Sequence, residues 1–148
     1  MLRFIHTHFI ILKVNLIPVI AKADALTVEE RDAFKQRITT DIAQHEIKVF
    51  PWTLQEDDAE DERAKAEAKA RLPFAVVGAC EEINVDGKYL RGRNTRWGFI
   101  NVDDPEHCEF ALLRDALIRV YLCDLKETTA QVHYENYRRQ HLSESSAA

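Results

Sequence analysis

Three observations predict an α/β chain with an appended β-hairpin element and C-terminal helices. Two apolar runs, residues 14–20 and 74–79, have the length and character of strands covered on both faces of a parallel sheet. A capped amphipathic helix lies between them, as a parallel crossover requires. A hairpin turn signal and two further helical stripes follow.

The 148 residues are 46% hydrophobic, enough for one core. With 25 acidic against 20 basic side chains the net charge is -5, so general nucleic-acid binding is not expected. Four glycines and four prolines exclude a collagen-like or linker-like chain. Three cysteines, Cys80, Cys108 and Cys123, form no Cys-x-x-Cys pair and leave one over from any disulfide, which fits free thiols in a reducing compartment. They read as small buried hydrophobes rather than nucleophiles. No His or Cys pair has zinc-ligand spacing: His6 and His8 alternate on an apolar stretch, and His45-Glu46 lacks a second histidine.

Residues 1–23 contain no acidic side chain, and three readings compete for them. A membrane span needs about 20 apolar residues, and Lys13, Asn15 and Pro18 interrupt this stretch. A signal peptide would use Ala21-Lys22-Ala23 as its small-x-small site, but the same breaks spoil its apolar core. A buried strand over residues 14–20, running into a loop at Ala21, is the reading adopted.

Thr27 and Glu30 then form a Thr-x-x-Glu capping box, and Ala33, Phe34, Ile38 and Ile42 mark one helical face ending near His45. Residues 47–50 form a short apolar run suited to a strand edge. Residues 55–71, QEDDAEDERAKAEAKAR, read as a solvated loop followed by an exposed helix stopped by Pro73. The acids there lack the glycine turn and closing Glu of an EF-hand. The second strand follows at residues 74–79. Asp86-Gly87 marks a two-residue hairpin turn within residues 83–90, and residues 97–102 read as another strand. Asp104-Pro105 has the form of a helix cap followed by proline in the first turn. Phe110, Leu113, Leu117, Val120 and Tyr121 give that helix its buried stripe. A last amphipathic helix spans residues 125–142, with residues 143–148 expected to be a disordered tail.

Ligands of open α/β sheets bind at the carboxyl ends of strands. Two such ends stand out, Ala21-Lys22-Ala23-Asp24 and Gly78-Ala79-Cys80. A carboxylate there can accept parallel hydrogen bonds from N1–H and the N2 amino group of guanine, a donor pair adenine lacks. A lysine two residues earlier can lay its aliphatic stem across the base while its ammonium stays in water. Alone, the four-residue match reads as an ordinary strand-to-helix loop with Asp24 merely exposed.

The segment VNLIPVIAKADALTVEERDAFKQRI closely resembles the guanine-specificity strand, loop and helix of septins, the filament-forming GTP-binding proteins. Ala21 stands where small GTPases have Asn, as is characteristic of septins. LPFAVVGA, GKYLRGRNTRWGFINVDDPEHCEFALLRDALI and DLKETTAQVHYENYRRQHL continue the resemblance in the expected order, so that it spans residues 14–142. It implies a partial P-loop-NTPase-like G domain, comprising the later parallel strands and helices. On this reading residues 13–142 are the C-terminal half of a septin G domain, with the septin-specific element at about 87–142. Residues 1–12 are an atypical segment.

The resemblance implies GTP/GDP as ligand. Lys22 and Asp24 match the guanine-reading positions, and the loop from Ala23 through Glu30 lines the pocket. Gly78 matches the glycine facing the base, and Arg93 a nucleotide-contacting arginine able to stack on it. Trp97 matches the tryptophan of the nucleotide-side dimer contact, although Thr95-Arg96 precedes it where septins have Tyr-Pro. His133, Tyr134 and Tyr137 belong to segments near the second, terminal interface. The implied partners are other septin subunits, in homo- or hetero-oligomeric filaments or rings of the cytoplasmic cytoskeleton that serve cytokinesis. Membrane association stays open, since the basic cluster Lys88, Arg91, Arg93 and Arg96 adjoins the implied pocket.

The phosphate-cradling GxxxxGK[ST] and the Asp-x-x-Gly of the second switch do not occur in these residues. Magnesium is therefore expected only together with upstream residues, no catalytic or metal-binding residue is assigned, and hydrolysis by this chain alone is not expected. The alternative is a nucleotide-independent septin-interaction module that caps or modulates filaments.

Overall fold

A computed structural model describes residues 13–52, 59–85 and 87–146. The 1–12 segment, with His6 and His8, the acidic loop over residues 55–58, Asp86 and residues 147–148 lie outside them.

Strand β1 (Val19–Ala21) leads through a 3-10 turn (Ala23–Ala25) into helix α1 (Val28–Gln44). Helix α2 (Ala59–Ala70) precedes strand β2 (Phe74–Val76), which pairs parallel with β1 in the register Val19↔Phe74, Ile20↔Ala75, Ala21↔Val76. Strands β3 (Glu82–Val85), β4 (Lys88–Thr95) and β5 (Gly98–Asn101) form an antiparallel meander. The rest is a helical run: α3 (Phe110–Asp115), a π turn (Ala116–Val120), α4 (Leu122–Glu127), a π segment (Thr128–Tyr134) and α5 (Glu135–Ser146). The α/β class and the appended hairpin stand as predicted, but several elements differ in extent.

The first strand is shorter than residues 14–20 and is not covered on both faces. Only Ile20 is buried, while Val14 and Val19 each keep 44% of their surface exposed. Pro18 has no N–H to give a ladder. The preceding residues make isolated bonds instead, Leu16 O accepting Phe50 N at 2.9 Å and Pro18 O accepting Phe74 N at 3.3 Å. Residues 47–50 accordingly form no strand. The second strand is likewise reduced to three residues, because beyond Val76 its pairing passes to a side chain: Val77 N donates to Cys108 Sγ at 3.2 Å.

The capping box forms as the sequence indicates, Glu30 N donating to Thr27 Oγ1 at 3.2 Å and Thr27 N to Glu30 Oε2 at 2.9 Å. The face beneath it is only half covered: Ala33 and Phe34 are exposed, Ile38 and Ile42 half-buried. Helix α2, expected to be exposed, buries Lys65 and Ala68. Ala68 is small enough to let the helix meet a cluster of Phe50, Trp52, Phe74, Ala116 and Tyr121. Trp52 packs edge-on against Phe74 and Tyr121, with centroids 5.7 and 4.9 Å apart. Each such pair adds roughly 0.5–1.5 kcal/mol to area burial. A second cluster, Ile20, Ala23, Ala75, Val77, Val102 and Cys108, lies where the parallel strands meet the meander. Cys80 and Cys123 are exposed; of the three cysteines only Cys108 is the buried hydrophobe expected.

The hairpin has the predicted two-residue turn, with Val85 opposite Lys88 and Gly87 at φ 83°. Asn84 Oδ1 accepts Gly87 N at 2.9 Å. Gly92 serves close approach: a Cβ there would collide with the Ile100 carbonyl oxygen and the Phe99 ring. The strand expected over residues 97–102 is trimmed at both ends, leaving Trp97 in the β4–β5 turn.

Asp104-Pro105 does not start the helix. Asp104 caps a single turn, its carbonyl accepting His107 N at 3.1 Å and Cys108 N at 2.9 Å. Glu109 N then bonds to Ala75 O at 2.9 Å, and α3 begins only at Phe110. The predicted stripe is also rephased. Tyr121 N bonds to Ala116 O at 2.8 Å, five residues back, so Ala116 and Tyr121 are buried while Phe110 stays 38% exposed. The last helix runs on through Ser146, four residues into the expected tail, with Ser143 Oγ bonded to Gln140 O. No described helix is long and apolar enough to cross a membrane.

Candidate functional site

The parallel pairing of β1 with β2 brings both loop-bearing strand ends to one end of the small sheet. At the end of β1, Lys22 turns the chain with φ 56° and ψ 44°. A lysine in this left-handed conformation is uncommon and costs of order 1–3 kcal/mol, so the surroundings must impose it. They do so through the tight turn that follows, Ala25 N bonding to Lys22 O and Leu26 N to Ala23 O. Ala23, 5% exposed, is anchored in the core cluster. Asp24 therefore projects from a fixed turn, with its side chain only 10% exposed.

Its partner comes from the meander. Arg93 Nη1 on β4 lies 3.5 Å from Asp24 Oδ2. The same arginine, with Gly78, Ala79, Cys80, Glu81, Ile83, Gly92 and Asn94, bounds a cavity of about 490 Å³ beyond the end of β2. A Cβ built on Gly78 would meet nothing within 4 Å, so that backbone opens onto free space. Asp24, Arg93 and Gly78 are thus brought into one neighbourhood. Two residues before Arg93 on β4, Arg91 Nη2 donates to Asp103 Oδ1 at 2.7 Å, which raises the Arg91 pKa above its ordinary value and ties β4 to the residues that follow β5.

The structure does not gather every predicted residue there. Lys22 is exposed and outside the lining of that cavity. The Glu30 carboxylate is bonded to Thr27 N at the helix cap. Trp97 sits at the β4–β5 tip, 91% exposed, on the same hairpin as Arg93. His133, Tyr134 and Tyr137 lie on the C-terminal helical run, against the residues preceding β1. His133 Nε2 is 3.1 Å from Asn15 Oδ1, and Lys13 Nζ lies 4.8 Å over the Tyr137 ring. Tyr134 and Tyr137 are 58% and 41% exposed.

Two residues that sequence reasoning missed hold this arrangement. Glu109, 2% exposed, accepts Ala75 N at 2.6 Å and Lys35 Nζ at 2.8 Å, with Arg71 Nη1 at 3.4 Å. It joins α1, the approach to β2 and the start of α3. Asn15 does the equivalent at the other end. Each is a lone polar residue in an apolar run, Cys108-Glu109-Phe110 and Val14-Asn15-Leu16, and that was the available signal.

The donor set fits the base end of a guanine nucleotide: a little-exposed carboxylate, a planar cation beside it and open backbone at Gly78. Among the described residues no group of three or more His, Cys, Asp or Glu side chains could hold a metal ion.

A family model described as Septin matches residues 4–148. The chain is 52% identical over 134 residues to Septin-12 of Bos taurus, covering 90% of this chain and 37% of that protein. It is 49% identical over 130 residues to Septin homolog spn2 of Schizosaccharomyces pombe, covering 88% and 39%. Protein peanut of Drosophila melanogaster is 52% identical over 134 residues, covering 89% and 25%. The chain thus spans less than two-fifths of the length of these relatives. Among solved structures, the septin GTPase domain from Chlamydomonas reinhardtii superposes with a TM-score of 0.67 at 22% identity, over 88% of this chain and 50% of that one. Cdc11 from Saccharomyces cerevisiae gives 0.56 at 30% identity, over 86% and 51%.

Proposed function

The chain belongs to the septin family, and we propose that it supplies the base-reading part of a guanine-nucleotide (GTP/GDP) site and surfaces for filament assembly. The observation that carries this is the Asp24–Arg93 pair at the carboxyl end of β1, beside the cavity under Gly78. Asp24 accepts the N1–H and N2 amino hydrogens of guanine. Arg93 offers a flat cation to the ring face, and the stem of Lys22 covers the base from the loop. Ala23 and the Thr27–Glu30 cap hold that loop in place. No catalytic residue is assigned, and hydrolysis is not attributed to these residues alone. The proposed setting is the cytoplasmic cytoskeleton, with other septin subunits as partners.

Asp24→Asn tests the reading through the chemistry of the base. An amide replaces one acceptor by a donor, which mismatches guanine and matches the O2 carbonyl of xanthine. A preference for xanthosine over guanosine diphosphate shifted by at least about tenfold is expected, since an unpaired buried polar group costs ~1–3 kcal/mol. Unchanged guanosine diphosphate binding in Asp24→Asn would sink the assignment.

The exposure of Trp97 favours a second reading, a nucleotide-independent septin-interaction module. Co-sedimentation with a septin that survives Asp24→Ala and Arg93→Ala together would select it.

A further inference from the structure

The segment Thr128–Tyr134 is π-helical between two α-helices, α4 and α5. A π segment inserts residues into a helix at a cost in hydrogen-bond geometry, and it persists where something outside the helix sustains it. One side chain from outside the helix meets this stretch at three points. Asn15 Nδ2 donates to Leu125 O at 2.9 Å and to Thr129 Oγ1 at 2.9 Å, while Asn15 Oδ1 lies 3.1 Å from His133 Nε2. Because an amide oxygen only accepts, His133 Nε2 carries the proton in that bond. Both donor hydrogens and the oxygen of Asn15 are spent on this one stretch.

The contacts recur every fourth residue, at 125, 129 and 133. An α-helix of 3.6 residues per turn carries such a row about 80° round its axis over eight residues, away from any one partner. A widened turn keeps the row in line. Leu125 O, at the changeover, is served by two side chains: Thr129 Oγ1 donates to it at 2.7 Å beside Asn15.

We propose that Asn15 is a positioning residue that selects the π register of Thr128–Tyr134 and thereby sets where Tyr134 and Tyr137 point. Without its amide the segment closes to α-helical pairing, and every residue beyond it is rotated relative to α4. The consequence for assembly rests on the reading of His133, Tyr134 and Tyr137 as an interface; the register itself does not.

The test uses the full chain with Asn15→Ala, with deletion of the exposed Ala130, and with both changes. Couplings across the backbone hydrogen bonds, read by NMR, report five-residue pairing in the parent and are expected to report four-residue pairing in Asn15→Ala. The contact between the Lys13 side chain and the Tyr137 ring is then lost. Removing Ala130 takes out one residue of the widened stretch, so the double variant regains that contact with α-helical pairing. Self-association is expected to fall by about tenfold in Asn15→Ala and to recover in the double variant. Five-residue pairing that persists in Asn15→Ala, or a double variant as impaired as the single one, overturns the inference. A register that shifts while self-association holds leaves the inference standing and removes the interface reading.

Discussion

Arg93 Nη1 stands 3.5 Å from Asp24 Oδ2 although one lies in the antiparallel meander and the other in the turn after the parallel strand β1. Asp24 follows the parallel strand β1, whereas Arg93 lies in the middle of the antiparallel meander. Their meeting depends on the core cluster in which Ile20 and Ala23 touch Ala75, Val77 and Val102. The appended hairpin is therefore part of the site. It delivers the cation that faces the Asp24 carboxylate, and it walls the cavity under Gly78.

Arg93 separates charge from shape. Arg93→Lys keeps the positive charge near Asp24 but loses the planar group that can lie on a purine ring. Nucleotide affinity is expected to fall by about 0.5–1 kcal/mol in Arg93→Lys and by up to ~2 kcal/mol in Arg93→Ala, the range for cation–aromatic contacts. Titration with a fluorescent guanosine diphosphate reads both. Equal losses in the two variants would show that stacking contributes nothing.

Glu109 is the next test. Its carboxylate is 2% exposed and serves Ala75 N, Lys35 Nζ and Arg71 Nη1 together. Glu109→Ala leaves the buried Ala75 N–H without its side-chain acceptor and the largely buried Lys35 ammonium without its counter-charge. A loss of about 3–5 kcal/mol in urea unfolding is expected. Glu109→Gln can keep the bond to Ala75 N and is expected to lose less. A Glu109→Ala chain as stable as the parent would show that the cluster contributes little.

What could be read from the sequence and what could not divides along the range of the interactions. The Thr27–Glu30 cap, the hairpin turn at Gly87 and the backbone turn from Lys22 to Leu26 are local, and their hydrogen-bond partners stand within four positions. Asp104-Pro105 has the local form of a helix start, but Glu109 is drawn to Ala75, 34 positions away, and the helix begins after it. Asn15 interrupts an apolar run for the sake of Leu125, 110 positions away. The stripe from Phe110 to Tyr121 follows an α-helical period, which the π turn at Ala116–Val120 does not obey. Residue chemistry nominated the candidate residues; tertiary contacts decide which of them meet.

Trp97 distinguishes assembly from folding. At 91% exposure on the β4–β5 tip it contributes little to this chain's core. Trp97→Ala is expected to change stability by less than about 0.5 kcal/mol, as an exposed substitution does. Self-association or co-assembly with a septin should drop at least about tenfold, as aromatic anchors of interfaces do on truncation. A paired measurement of melting temperature and sedimentation separates the two effects. Unimpaired assembly would remove Trp97 from the interface.

Tyr121 makes stability depend on alkaline pH. It is fully buried, and its hydroxyl has no hydrogen-bond partner among the described residues. Burial, with a smaller contribution from Asp124, pushes its pKa above the ordinary tyrosine value. The unfolded chain then loses this proton first as pH rises past about 10, while the folded chain keeps it. Stability is whole below that pH and declines as pH climbs toward the folded-state pKa. Tyr121→Phe removes both the unsatisfied hydroxyl and the titration. It is expected to be at least as stable as the parent at pH 7, by up to ~1 kcal/mol, and to show a flatter decline above pH 10. Urea unfolding at pH 7, 9 and 10.5 follows both limbs. A Phe variant that weakens with pH as steeply as the parent would place the alkaline sensitivity in another group.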